Sequence, residues 1–292
     1  MSPQARVEIG GHGRTGKLTA SAVDLERIKY LRIGSIIIIG FVASMLSGLL
    51  GIGGGSVLVP AMVYLLGMNQ HRAHGTSLAV IAVVVFSSAV YYSTHGLVDW
   101  TVAIELMAGG VIGAMIGARI CALLSAGRLR RYFGIFLGIV GLRMLYGAAF
   151  ASSGAPGIGG HVLAPETLGG GSVVVAIGLV TGIFSGLFGI GGGLIMVPTL
   201  VLLFGFKQKL AQGISLAVII PVSISGAAIH NAHGNVNWGV AVWLAVGGVM
   251  GGLVGAHLAV VKIQDPVLCG LFGLLMLVTG VLMFHHKRPA CD

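Results

Sequence analysis

Ser47–Ile81 reads SGLLGIGGGSVLVPAMVYLLGMNQHRAHGTSLAVI, and Ser185–Ile219 reads SGLFGIGGGLIMVPTLVLLFGFKQKLAQGISLAVI. At a fixed offset of 138 the two stretches agree at 21 of 35 positions. The offset continues without a gap through Ser87/Ser225, His95/His233, Gly96/Gly234, Trp100/Trp238, Gly109/Gly247, Gly113/Gly251 and Gly117/Gly255. A one-residue adjustment then aligns Gly141 with Gly280 and Met144 with Met283. A chain with this self-similarity contains two homologous halves, here 33–150 and 172–284. A basic arm (1–32), a linker (151–171) and a short tail (285–292) complete it.

Composition says where such halves fold. Of 292 residues, 56% are apolar and 9% are charged, with mean hydropathy +1.00. A soluble domain carries about 25% charged residues, so this chain cannot coat an ordinary water-facing surface. A soluble enzyme, a disordered protein and a disulfide scaffold are excluded. The net charge of +9 does not indicate nucleic acid, because the 17 Lys and Arg sit mostly in the arm and in short loops between apolar runs. Cys121, Cys269 and Cys291 have no metal or redox spacing. The arm is too long and polar for a signal-peptide n-region. Asp24 could cap a short turn leading into the first membrane helix.

Each half repeats one order of apolar segments. The first has Ile33–Leu50, the Gly51–Gly55 break, Ser56–Leu66, Thr76–Thr94, Thr101–Leu124 and Tyr132–Phe150. The second has Ser172–Phe188, the Gly189–Gly193 break, Leu194–Phe204, Ile214–Ala232, Trp238–Val261 and Pro266–Phe284. The long runs suit bilayer-crossing helices, which need about 20 residues. The two pieces after the glycines reach only about 17 Å, roughly half the hydrocarbon thickness. The reading is an all-α polytopic membrane protein with about ten helical membrane segments. These are six crossings plus two re-entrant pairs, or ten crossings.

Positive charge decides the relation of the halves. With a cytoplasmic arm and an odd number of crossings per half, 13 Lys and Arg lie inside: six in the arm, then Arg72, Arg119, Arg128, Arg130, Arg131, Lys287 and Arg288. Arg143, Lys207, Lys209 and Lys262 lie outside. Parallel repeats would give nine against eight. Inverted repeats are therefore expected, with both termini cytoplasmic and an external linker.

Four glycines within a pentapeptide cost about 1 kcal/mol each as helix, so the chain should open there. Open backbone at membrane depth survives only where protein or a watery cavity satisfies it. The short helix that follows presents free N–H groups and a positive dipole end. Two such ends meeting near the midplane would make an anion site. The competing reading is that the glycines merely let helices cross closely. Two copies at equivalent positions, followed five residues on by Pro60 and Pro198, favour the site. A dinucleotide fingerprint is a poor fit, since no acidic residue follows about 20 positions later.

A second polar cluster, His74-Gly75-Thr76-Ser77 and its partner Gln212-Gly213-Ile214-Ser215, is read as the cap or first turn of the next helix. Plain capping at a loop boundary is the alternative. His230 and Asn231 stand deeper than His95 and His233, with Tyr92 and Ser93 in their places in the first half; they are candidates for substrate contact or proton coupling. Glu105 is read as interfacial. The stripes Gly109/Gly113/Gly117 and Gly247/Gly251/Gly255 are read as helix-packing faces. The candidate substrate-binding set is thus Gly51, Gly53, Gly54, Gly55, Ser56, Thr76, Ser77, Gly189, Gly191, Gly192, Gly193, Gln212, Ser215, His230 and Asn231.

With its duplicated GxxGIGGG, the proline after it, and the A-x-G-x-S-L-A element at Ala73–Ala79 and Ala211–Ala217, the chain resembles the TauE/SafE family of sulfite exporter or toluene-sulfonate uptake permease carriers. The resemblance spans 33–284. It implies a bacterial inner-membrane secondary transporter for small sulfur-containing anions such as sulfite, sulfoacetate or other organosulfonates. The expected mechanism is alternating access, with no catalytic residue, cofactor or bound metal. The partners expected are a small anionic substrate and the lipid bilayer, with a homodimer admitted and nucleic acid excluded. The alternative is a divalent metal cation carrier of the Ni/Co type, with His71/His74, His230/His233 and His285/His286 as ligands. A membrane-embedded enzyme would need a nucleophile–base pair at one depth, and none is visible.

Overall fold

A computed structural model describes residues 33–120, 126–150, 171–188 and 191–285. The arm with Asp24, most of the linker, Gly189 and the tail lie outside the described residues. Every regular element among those described is helical. The first half supplies α1 (Ile33–Leu50), α2 (Gly55–Leu66), α3 (Gln70–Thr94), α4 (Trp100–Ile120) and α5 (Ala126–Phe150). The second supplies α6 (Ser172–Phe188), α7 (Gly193–Leu202), α8 (Gln208–Ala232), α9 (Trp238–His257, continued by a π turn at Leu258–Lys262) and α10 (Asp265–His285).

Six of these helices are long and apolar enough to cross a membrane: α1, α3, α4, α8, α9 with its π turn, and α10. The apolar stretch Phe133–Ala149 of α5 and nearly all of α6 form two more apolar helical segments, just below crossing length. Large apolar side chains such as Ile38, Phe86, Ile104, Ile139, Leu142, Met250 and Leu282 are exposed around the outside. A lipid-facing surface has that chemistry, since acyl chains leave no reason to hide leucine. The chain is a polytopic all-α membrane protein.

Lipid removes the hydrophobic drive between helices, so close backbone packing must supply the cohesion. The glycine stripes do this across the halves. A β-carbon on Gly247, Gly251 or Gly255 of α9 would strike the carbonyl oxygens of Ile37, Phe41 and Met45 on α1. One on Gly109, Gly113 or Gly117 of α4 would strike those of Val175, Leu179 and Ile183 on α6. Gly40 and Gly48 of α1, and Gly178 and Gly182 of α6, return the contact. The first helix of each half is thereby held by the fourth segment of the other.

These contacts also give direction. Along α1/α9 and α4/α6 the partner numbers rise together, so those helices run parallel. Along α3/α8 they run oppositely: Gly75 meets His230, Leu78 meets Gly226 and Tyr92 meets Gly213. The α5/α10 pair is antiparallel as well, with Gly141 on Gly273 and Gly134 on Gly280. Equivalent helices of the two halves are therefore antiparallel, and the repeats are inverted.

Three helix starts differ from the sequence reading by six residues. α3 begins at Gln70, because the Asn69 side chain caps it by accepting from the Arg72 N–H at 2.9 Å. α8 begins at Gln208. Thr76, Ser77 and Ser215 therefore lie in the second turn rather than at a cap, and no further helix end opens at that cluster. α5 begins at Ala126 rather than Tyr132, which places Arg128, Arg130 and Arg131 within its first turns. Lys209, one of the two charges assigned to the outer side between α7 and α8, donates from Nζ to the Val260 carbonyl in the π turn at 3.0 Å.

Overpacking a tight contact typically costs about 1–3 kcal/mol. Gly113→Val and Gly251→Val should each lower the thermal midpoint in detergent measurably. Gly138→Ala, whose β-carbon meets nothing within 4 Å, should leave it unchanged or raise it slightly.

Candidate functional site

The chain leaves α1 at Leu50, where the Gly51 N–H still donates to the Ser47 carbonyl at 2.7 Å. It then turns back through left-handed backbone, with φ of 71° at Gly51, 81° at Gly53 and 80° at Gly54. In the second half Gly191 and Gly192 repeat the geometry with φ of 84° and 81°. L-residues pay about 1–2 kcal/mol in that region, which is why glycine stands there. The Gly54 and Gly192 carbonyls accept the first bonds of α2 and α7. The N–H groups ahead of those bonds have no intrahelical acceptor.

The two breaks touch. A β-carbon on Gly193 would lie 2.6 Å from both the Gly51 carbonyl oxygen and the Ile52 α-carbon. One on Gly191 would lie 3.4 Å from the Ile52 carbonyl oxygen and 3.5 Å from Gly53. Gly51, Ile52, Gly53, Gly54, Gly55, Gly191, Gly192 and Gly193 are all buried. Two positive helix ends thus start from one buried crossing, each short helix being only 12 or 10 residues long.

Polar side chains gather round the crossing. Ser215 donates from Oγ to the Gly51 carbonyl at 2.9 Å, tying α8 to the other half's break. Gln212 packs on Gly51, and its Oε1 lies 3.2 Å from the Tyr92 hydroxyl, which also reaches the Gly48 carbonyl at 3.1 Å. Ser47 packs against Gly54, and its equivalent Ser185 against Gly192. The hydroxyls of Ser44, Ser47, Ser56 and Ser185 and the Gln212 amide nitrogen are buried without a hydrogen-bond partner. Buried polar groups are ordinarily paired, so such a set beside two open helix ends is chemically distinctive.

The remaining sequence candidates fall in different places. Ser77 donates to the His74 carbonyl at 2.8 Å inside its own helix. Thr76 accepts from the Asn237 N–H at 3.0 Å, which binds the loop before α9. His230 is buried. Asn231 is exposed and accepts from the Trp238 indole at 3.0 Å, away from the crossing. Sequence reading passed over Ser44, Ser47, Ser185 and Tyr92. The signal for Ser47 and Ser185 was present, since they open the identical S-G-L motifs. Tyr92 carried none, because its hydroxyl looks interfacial until the fold buries it.

The family model described as Sulfite exporter TauE/SafE matches residues 14–144 and 174–291. A probable membrane transporter protein, YunE, of Bacillus subtilis is 31% identical over 265 residues, covering 86% of this chain and 97% of its own length. One from Xylella fastidiosa is 32% identical over 258 residues, covering 87% and 94%. A third, from the archaeon Methanocaldococcus jannaschii, is 29% identical over 213 residues, covering 70% and 74%. No solved structure matches significantly.

Removing the Ser215 hydroxyl strands a buried carbonyl, at a cost of about 1–3 kcal/mol. Ser215→Ala should lower the thermal midpoint modestly, and Gly193→Ala more, since the two breaks must move apart to admit the methyl group. Gly34→Ala, in open space, is the matched control. Equal midpoints for all three would show that the crossing is not a tight contact.

Proposed function

The chain belongs to the TauE/SafE family of membrane transporters, and from that premise we propose that it carries small sulfur-containing anions, such as sulfite, sulfoacetate or other organosulfonates, by alternating access. One observation carries the reading: two helix N-termini begin at a shared buried crossing lined by unpartnered hydroxyls and an amide. Free N–H groups and aligned peptide dipoles favour negative charge, and a tetrahedral oxyanion offers several acceptors at once. Inverted repeats give such a site two pseudo-equivalent exits, the geometry alternating access needs.

Gly53, Gly54, Gly55, Gly191, Gly192 and Gly193 would offer backbone donors, while the Gly51 N–H is held by the Ser47 carbonyl. Ser56, Gln212 and the serines beside the breaks would add side-chain donors. Thr76, Ser77 and Ser215 position the helices around them. The divalent-cation alternative finds less support, because no three His, Cys, Asp or Glu side chains converge as a ligand group among the described residues. The positive-inside balance supports a cytoplasmic membrane location with both termini inside.

In proteoliposomes, labelled sulfite or sulfoacetate should accumulate in the interior and be displaced by related sulfonates, whereas Ni²⁺ and Co²⁺ should not. Uptake of carboxylates alone would overturn the substrate class, and metal uptake would overturn the reading. A C-terminal fluorescent-protein fusion should fluoresce while an alkaline phosphatase fusion stays inactive; the reverse would overturn the orientation.

A further inference from the structure

Among the equivalent positions at which the halves differ are Tyr92 with Gln212 and His230 with His74, each pair beside the end of a helix that leads into a break. In the first half, Tyr92 bridges the Gly48 carbonyl and Gln212. The 138 offset turns Tyr92 into His230, Gln212 into His74 and Gly48 into Gly186. One contact is mirrored, the His230 ring hydrogen-bonding to the Gly186 backbone as Tyr92 does to that of Gly48; the His74 ring instead hydrogen-bonds to the Leu187 backbone. The rings are 4% and 6% exposed. A β-carbon on Gly75 would lie 2.9 Å from the His230 β-carbon, so α3 and α8 are in contact here.

Tyr92 and Gln212 leave one amide nitrogen without a partner, a group that takes up no proton near neutrality; the histidines leave two imidazole nitrogens. His74 Nδ1 and His230 Nε2 are buried without a partner. An imidazole nitrogen that donates to a carbonyl holds the ring's hydrogen, so the opposite nitrogen carries an unprotonated, unpartnered lone pair. Such a lone pair is a proton acceptor. Among the described residues the buried polar set contains serine, threonine, glutamine and histidine but no Lys or Arg, so a proton on such a lone pair is the side-chain positive charge this set can offer an anion.

We propose that the His74–His230 pair is the proton-carrying element of this carrier, taking up one proton with each anion bound at the crossing. It rests on the anion reading above. The proton comes from water on the side the site faces, binds one bare lone pair, and returns to water as the anion leaves; no bond is made or broken in the anion. His71 and His233, at the ends of the same helices, act electrostatically on the pair. Arg72 stands beside His71, and exposed Arg119 ends α4. α1, α2, α6 and α7 bring no acid, base or imidazole. Of the others, His257 on α9 is held by Tyr91 at 2.8 Å, Glu105 packs on Gly171 at the far end of α6 from Gly186, and Asp265 on α10 acts on Tyr92.

The experiment uses the full chain in nanodiscs with isethionate, a sulfonate that does not titrate near neutrality, and a pH dye in weak buffer. Wild type should take up about one proton per anion bound, and transport in proteoliposomes should rise up to about tenfold per pH unit of acidification, the limit for a single proton. The double variant H74Q/H230Y, which installs the other half's own side chains, should bind isethionate without proton uptake and transport it with a flat pH profile. Proton uptake persisting in that variant, or anion binding by wild type without any, would overturn the proposal. If the variant does not elute as a folded species, the wild-type stoichiometry and the single variant H230Y decide. If no oxyanion binds wild type at any pH, the anion reading fails separately, and ¹⁵N NMR judges the pair: titrations that move when the partner ring is replaced uphold it, and independent ones end it.

Discussion

The structure hangs on a backbone-to-backbone contact, Gly193 against Gly51 and Ile52, at the place where each half turns back on itself. Nothing larger than hydrogen fits between them. Membrane interiors forbid loose backbone unless protein shelters it, and here each break is the other's shelter. The Ser215 hydroxyl closes on the Gly51 carbonyl and leaves the free N–H groups of α2 and α7 as the unsatisfied part of the arrangement. Two positive ends held together in low dielectric repel each other, so the contact is most stable with a negative charge beside it.

What keeps the breaks in register is the exchange of first helices between the halves. α1 lies along α9 and α6 along α4, each through three glycines spaced by four. Since α1 and α6 lead directly into the breaks, the stripes of one half locate the break of the other. Neither half could form the crossing by itself. A rocking motion that alternates access would have to keep these two parallel pairs intact and shift them against α3 and α8.

Much of this was legible because repetition is legible. The duplicated SGLxGIGGG marked both breaks, and the charge balance anticipated the inversion that antiparallel α3/α8 contacts display. The helix starts were less readable. Polar Gln70, His71 and Arg72 look like loop, yet Asn69 caps them into α3, while Gly75 and Gly213 let that turn press against the opposite half. Asn231 looked deep by its position next to His230, but successive helical residues point about 100° apart, and only one of the two faces inward. That Ser44, Ser47, Ser56 and Ser185 lack a partner is written in no pattern, since it depends on what the fold brings within 3 Å of each hydroxyl.

The departure from symmetry is the more informative feature. A duplicated protein begins with identical halves, and positions that only need to pack can stay alike, as Ser47/Ser185 and the glycine stripes have. The pairs beside the helix ends that lead into the breaks have not. Tyrosine with glutamine makes a bridge whose oxygens are spoken for, whereas of the two histidines in the mirrored place His230 keeps the equivalent carbonyl contact and both retain an unpartnered ring nitrogen. Burying an unpaired polar atom costs stability, and both pairs bear that cost, Gln212 at its amide nitrogen and each histidine at a ring nitrogen, but only an imidazole nitrogen takes up a proton near neutrality. A proton-accepting pair present on one side only is accounted for by a task that has a direction, and moving a charged solute through a pseudo-symmetric site is such a task.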